Sequence, residues 1–175
     1  MIAPYFGRFI VTQRFKENKH DGFDLMALDS PEVHSVSDGT VIYAGRDKRG
    51  GFGLFVAVEM SDGDVWYYAH LKSVKVSVLD RVKVGDLLGI EGNTGNSTGN
   101  HLHICIRKGG SDFKGYDPSA ILGIPNAETP DGEYLEYIPA QTISAKVTKR
   151  TPKTIALEYY ENGVRYTGTL KPKGD

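Results

Sequence analysis

Residues 101–107 read His101-Leu102-His103-Ile104-Cys105-Ile106-Arg107. The alternation has period two. Leu102, Ile104 and Ile106 therefore share one face of an extended strand, and His101, His103 and Cys105 share the other. An apolar face needs a core to cover it, so the stretch reads as a half-buried β-strand. Six further runs have the same character: residues 11–15, 23–27, 40–44, 54–60, 64–71 and 86–91, rich in Val, Ile, Tyr and Phe. Turns containing Gly, Asp and Ser separate them, and Ser61-Asp62-Gly63 joins two at hairpin distance. Gly supplies 21 of 175 residues, which fits a chain of many tight turns. No stretch keeps a 3.6-residue apolar period through three turns, and only residues 118–122 suit a helical turn. The expectation is an all-β, antiparallel domain.

The length suits one domain with a small appendage. With 21 Lys+Arg against 22 Asp+Glu, the net charge is -1, which argues against a nucleic-acid binder working by blanket electrostatics. The longest apolar runs fall far short of a bilayer span. The start, MIAPYFGRFI, has no basic region or small-residue cleavage site, so no secretory signal is expected. Cys105 is the one cysteine, which excludes an internal disulfide and any multi-cysteine metal site. A bound metal would need His and carboxylate ligands.

Charge divides the chain. Residues 141–175 hold seven basic and three acidic side chains, whereas residues 1–140 are net acidic. Between them residues 126–140 carry two prolines and no clear period, and read as a connector. The expected organisation is a main domain over 1–125, that connector, and a small basic β extension over 141–175. Asn162-Gly163 between residues 157–160 and 164–169 is a type I′ hairpin signal.

The histidines are His20, His34, His70, His101 and His103. His101 and His103, two apart on one strand face, converge on one small volume; the plainer reading is a surface pair on an exposed sheet. His20 and Asp24 would lie roughly 13 Å apart on a straight strand. Asp21-Gly22 offers a turn that folds them together. His70 ends the aromatic run Val65-Trp66-Tyr67-Tyr68-Ala69. His34 has no partner pattern. Catalytic zinc takes three His or carboxylate ligands and keeps a position open. Two histidines and one aspartate meet that count and leave two histidines for acid–base work. Spacing alone does not say which histidine ligates.

The motifs resemble a family. His20-x-x-x-Asp24, Tyr68-Ala69-His70-Leu71 and Asn93-Thr94-Gly95-Asn96-Ser97-Thr98-Gly99-Asn100-His101-Leu102-His103 are similar to the motif set of lysostaphin/LytM-type zinc metallopeptidases. Ser37-Asp38-Gly39-Thr40-Val41, Gly51-Phe52-Gly53 and Val82-Lys83-Val84-Gly85-Asp86-Leu87-Leu88-Gly89 are similar too. The resemblance runs in order over residues 10–108.

That resemblance implies an antiparallel β metallopeptidase core with a groove, related to the duplicated hybrid motif. It implies one Zn²⁺ per chain held by His20, Asp24 and His103, with His70 and His101 as the catalytic pair. The implied chemistry is amide hydrolysis in bacterial peptidoglycan. The groove would run between residues 51–53 and 92–100, with Gly53, Asn96 and Thr98 at its edge. Trp66, Tyr67 or Tyr68 would line it, with core packing the role of at least one of them. Cys105 departs from the pattern, because the family commonly has Glu there; a contact behind the ligands is then missing. Gly-rich residues 92–100 lack the Gly-Lys-Ser/Thr of a phosphate loop. A wall substrate without a secretory signal implies a phage or prophage lysis enzyme, made in the cytoplasm. The competing readings are a catalytically silent LytM-like domain that binds wall or regulates a hydrolase, and a D-Ala-D-Ala carboxypeptidase. The latter's Glu-x-x-Trp-x-His spacing is not found.

Overall fold

The structure is a computed structural model. It describes residues 2–48, 51–109 and 115–139 in full, and the backbone of strands at 150–151, 154–161 and 164–170. In chain order the strands are β1 (Gly7–Gln13), β2 (Phe23–Ala27), β3 (Glu32–His34), β4 (Gly39–Arg46), β5 (Leu54–Glu59), β6 (Val65–Ala69), β7 (Ser73–Val74) and β8 (Arg81–Val82). There follow β9 (Leu87–Ile90), β10 (Leu102–Arg107), β11 (Gly115–Tyr116), the one-turn α1 (Ser119–Leu122) and β12 (Leu135–Tyr137). The last three are β13 (Arg150–Thr151), β14 (Thr154–Glu161) and β15 (Val164–Leu170).

A nine-stranded sheet runs β12-β1-β2-β10-β6-β5-β4-β8, with β11 also on β10, and a three-stranded sheet runs β3-β9-β7. Every pairing is antiparallel. The all-β antiparallel expectation holds.

The alternation read from the sequence sorts the large sheet's two faces. Phe23 and Leu25 of β2, Leu102, Ile104 and Ile106 of β10, Trp66 and Tyr68 of β6, and Val56 and Val58 of β5 enter one core. Val33 and Leu88 of the small sheet join that same core. Hydrophobic burial of this kind contributes roughly 1.5–3 kcal/mol per large side chain. On the opposite face Phe55, Ala57, Val65 and Ala69 form a smaller cluster with Tyr43, Phe52 and Tyr67 packed on it. Buried Glu91 ties the sheets together. Its carboxylate accepts hydrogen bonds from the Tyr5 hydroxyl and, at 3.0 Å, from the Ala27 N–H.

Trp66 and Tyr68 are fully buried on the core face, so neither lines a groove. The period-two rule explains the correction: Tyr67, between them, is the residue that points the other way. Tyr68 instead accepts a hydrogen bond from the Val36 N–H at 2.9 Å. His34 is buried and stacks on Phe6 with ring centroids 3.9 Å apart.

The chain divides into two compact units, Met1–Tyr137 and Ile138–Asp175. Within the first, β12 pairs with β1, so residues 135–137 of the expected connector form an edge strand. In the second, β13, β14 and β15 form a three-stranded antiparallel sheet, with Glu161 opposite Val164. The turn residues Asn162-Gly163 lie outside the described residues.

Candidate active site

Register builds the site. Across β2, β10 and β6, His103 stands opposite Asp24 on one side and Ala69 on the other. All three point away from the main core, because their neighbours Phe23, Leu25, Leu102, Ile104 and Tyr68 point into it. His70 follows Ala69 directly, and His101 precedes β10 in a bridge to Gly92. His20 arrives from a tight turn, with its carbonyl accepting from the Lys16 N–H at 2.9 Å. Gly22 makes this approach possible: a Cβ there would sit 2.2 Å from the Ile104 carbonyl oxygen. The chain thus folds His20 back onto Asp24, with Nε2 3.0 Å from Oδ1.

Hydrogen bonds fix the imidazoles. His20 Nδ1 donates to the Arg14 carbonyl at 2.8 Å, which in the neutral ring leaves the Nε2 lone pair facing Asp24. His103 Nδ1 lies 2.8 Å from the same Asp24 oxygen, and its Nε2 lies 3.2 Å from Asp21 Oδ1. His70 Nδ1 donates to the Thr94 carbonyl at 2.8 Å, and His101 Nδ1 to the Gly99 carbonyl at 2.9 Å. The His70 and His101 rings are 4.8 Å apart between centroids. His101 Nε2 is 3.8 Å from Asp24 Oδ1.

His70 adopts a left-handed backbone, φ 63°. Such a conformation is uncommon outside Gly and marks a position held by its surroundings. Here the His70 N–H donates to the Phe52 carbonyl at 2.9 Å, while Thr94 receives the ring. Thr94 is itself anchored: its hydroxyl donates to the Leu71 carbonyl at 2.9 Å and accepts from the Leu54 N–H at 2.8 Å.

Charge states follow from this packing. Burial opposes ionisation of Asp24, but hydrogen bonds from His103 and His20 outweigh it and hold the carboxyl well below the usual range. Burial likewise opposes ionisation of Asp21, and His103 and Arg107 overcome it. Burial would push His103 down, yet its hydrogen bonds to Asp21 and Asp24 hold it well above the ordinary imidazole value. His70 is pushed down, chiefly by burial.

The donor set fits a metal ion. His20, Asp24 and His103 each offer an atom, and these atoms lie within 4.8 Å of one another. With both rings neutral and the His103 proton on Nε2 toward Asp21, two nitrogen lone pairs converge on one carboxylate oxygen, an arrangement that protons or a cation relieve. Two imidazoles and a carboxylate suit a borderline ion such as zinc.

A cavity of about 460 Å³ opens over this group, and Asn96, Thr98, His70 and His101 border it. Gly53 does not. Its backbone packs against Thr94-Gly95, where a Cβ would come within 2.4 Å of main chain. A second cavity of about 580 Å³, walled by Tyr43, Phe52, Phe55, Tyr67 and Arg107, adjoins it at Gly51 and Phe52. Sequence reasoning did not single out Asp21, Thr94, Phe52 or Arg107. Arg107 was within reach, because alternation puts it on the face of His103 and Cys105.

The sequence model of peptidase family M23 matches residues 18–115, more than half of the chain. The chain belongs to peptidase family M23. Among M23-like relatives, the glycyl-glycine endopeptidase ALE-1 of Staphylococcus capitis is 38% identical over 84 residues, 48% of this chain and 23% of that protein. Endolysin 2638A of Staphylococcus phage 2638A is 37% identical over 94 residues, 50% of this chain and 19% of that protein. The chain thus spans about a fifth of the length of these curated relatives. The crystallised catalytic domain of lysostaphin from Staphylococcus simulans superposes with a TM-score of 0.56 at 29% identity, covering 68% of this chain and 90% of that one. M23 membership makes this a metallopeptidase fold, and His20–Asp24–His103 is one of two groups among the described residues close enough to hold a metal ion, the other being Asp21–His103–Cys105.

Proposed function

We propose that the chain is a zinc-dependent endopeptidase that cleaves amide bonds in the peptides of bacterial peptidoglycan. The observation that supports this reading best is the convergence of two histidines on Asp24, beside a second histidine pair on the same cavity. In this reading His20, Asp24 and His103 hold the ion. Zinc at that position would polarise a scissile carbonyl and make water there acidic enough to attack near neutral pH.

The chain's own residues supply the rest. His70 is kept neutral by burial and keeps its Nδ1 proton on Thr94, so its Nε2 lone pair is open to take the water's proton. His101, likewise anchored at Nδ1 by Gly99, has its neutral-ring lone pair on Nε2, and would bond the oxyanion that develops in its imidazolium form. Two adjoining cavities meeting at Phe52 suit an extended, small-residue peptide laid across the sheet. The similarity to a phage endolysin and to a glycyl-glycine endopeptidase favours wall peptides as substrate and lysis as the setting. The protein would then be made in the cytoplasm and act on the wall.

Purified muropeptides, incubated with and without a chelator and then weighed, test the proposal. A new amine and carboxyl within the peptide, lost on chelation, is the expected result. Intact fragments across several wall types, from zinc-loaded protein, would overturn it in favour of a silent binding domain. Release of terminal D-Ala alone would make it a carboxypeptidase.

A further inference from the structure

We infer that Asp21 is a positioning residue for the metal centre, orienting His103 from behind and tying it to Arg107; this rests on the reading of His103 as a zinc ligand. The chain of contacts is continuous. Asp24 Oδ1 meets His103 Nδ1 at 2.8 Å, His103 Nε2 meets Asp21 Oδ1 at 3.2 Å, and Arg107 donates to Asp21 Oδ2 at 2.6 Å. Each oxygen of Asp21 thus has its own partner. A carboxylate that accepts from Nε2–H fixes the tautomer in which Nδ1 keeps its lone pair, here aimed at Asp24. It also makes the ring a more basic ligand.

Arg107 holds the carboxylate in place. Its guanidinium lies 5.0 Å from the Phe52 ring centroid and 4.9 Å from that of Tyr67, so both its charge and its plane are engaged. The sequence supplies Asp21 where the chain needs it. It is the residue after His20, in the turn that Gly22 presses onto β10, and Gly115 of β11 closes on it: a Cβ on Gly115 would be 2.3 Å from the Asp21 carbonyl oxygen. The backbone of Asp21 is therefore fixed on two sides.

Asp21, His103 and Cys105 also bring three potential ligand atoms within 4.8 Å. With His103 turned to zinc through Nδ1, that group acts as a hydrogen-bonded support, the ring's Nε2 meeting Asp21 Oδ1 while the Arg107 guanidinium holds Oδ2. The Cys105 thiol is fully buried between them. Asp21 supplies the carboxylate behind His103 that residue 105, a cysteine, does not.

Competition with a chromogenic chelator measures zinc affinity for the full chain and for Asp21→Ala and Asp21→Asn. Melting of each metal-free protein is followed in parallel. Loss of such a supporting contact typically weakens metal binding about 10–100-fold. Asp21→Ala is expected to show that loss with a metal-free melting temperature no lower than that of Asp21→Asn, since both variants leave Arg107 without its counter-charge. Asp21→Asn keeps an oxygen for His103 but no charge for Arg107, and is expected to fall between. Wild-type affinity in Asp21→Ala would overturn the inference while leaving the zinc site standing. Equal loss in both variants, matched by a fall in metal-free melting, would reduce Asp21 to a structural role and also overturn it. A wild-type chain that takes up no zinc would sink the proposed function itself, and the inference with it.

Discussion

At Asp24 a single carboxylate oxygen sits 3.0 Å from one imidazole nitrogen and 2.8 Å from another. Removing either imidazole leaves two protein ligands, which hold zinc poorly. His103→Ala is therefore expected to abolish tight binding, and metal analysis after gel filtration checks it; one zinc per chain in that variant would overturn the ligand set. The other pair should behave in the opposite way. His70 and His101 variants are expected to keep zinc and to lose about 10²–10⁴-fold in turnover each. Asn is the better replacement at residue 70, because Asn tolerates the left-handed backbone found there. If either variant lost its zinc, the ligand and catalyst roles would have to be exchanged. Residue types and order were enough to nominate these five side chains. Their division of labour came from the family resemblance and not from spacing, because it depends on which ring nitrogen is tied to which carbonyl, and that is a property of the folded loops at Arg14, Thr94 and Gly99.

Among the elements, β2 was read with its observed bounds and β10 within one residue, because strict alternation over a buried face leaves little freedom in register. The two-residue strands β7, β8, β11 and β13 were missed. So was β3, whose three residues are too few to show a period. The aromatic run of β6 is legible, but the groove side expected for Trp66 and Tyr68 is not theirs; parity with Ala69 decides the face, and His70 departs from that parity through its left-handed backbone. Gly22 carries the close contact between the His20 turn and β10. Gly22→Ala would drive a methyl group to 2.2 Å from the Ile104 carbonyl oxygen and 2.7 Å from the Cys105 Cβ. We expect the pairing of β2 with β10 to open there, at a cost of about 3 kcal/mol. The melting temperature should fall by roughly 6–12 °C. Zinc affinity should fall with it, since Asp24 and His103 face each other across that pairing. Unchanged melting and unchanged affinity would show that the turn absorbs the methyl group.

On the scale of the whole chain, the structural division falls after Tyr137, and the charge break points to a tail of different character. The basic tail holds the sheet of β13, β14 and β15, and whether it serves wall binding or stability is open to one test. Truncation after residue 140 should lower the melting temperature if the tail packs on the first unit. It should abolish sedimentation with purified cell walls, at unchanged melting, if the tail is a binding module. The last consequence comes from Cys105, the chain's single thiol, fully buried one residue beyond the neighbour of His103. A thiol reagent in the bulk can reach it only during a local opening of β10, so its labelling rate is a clock for that event. At zinc concentrations 100 times the dissociation constant, linkage predicts labelling about 100-fold slower than in the metal-free protein. Equal rates would mean that β10 opens without releasing the ion. For a chain that binds zinc there, the same shielding implies that an oxidant able to spoil the sulfur finds it only in molecules already parted from the ion, so oxidation of Cys105 should track metal loss and not time alone.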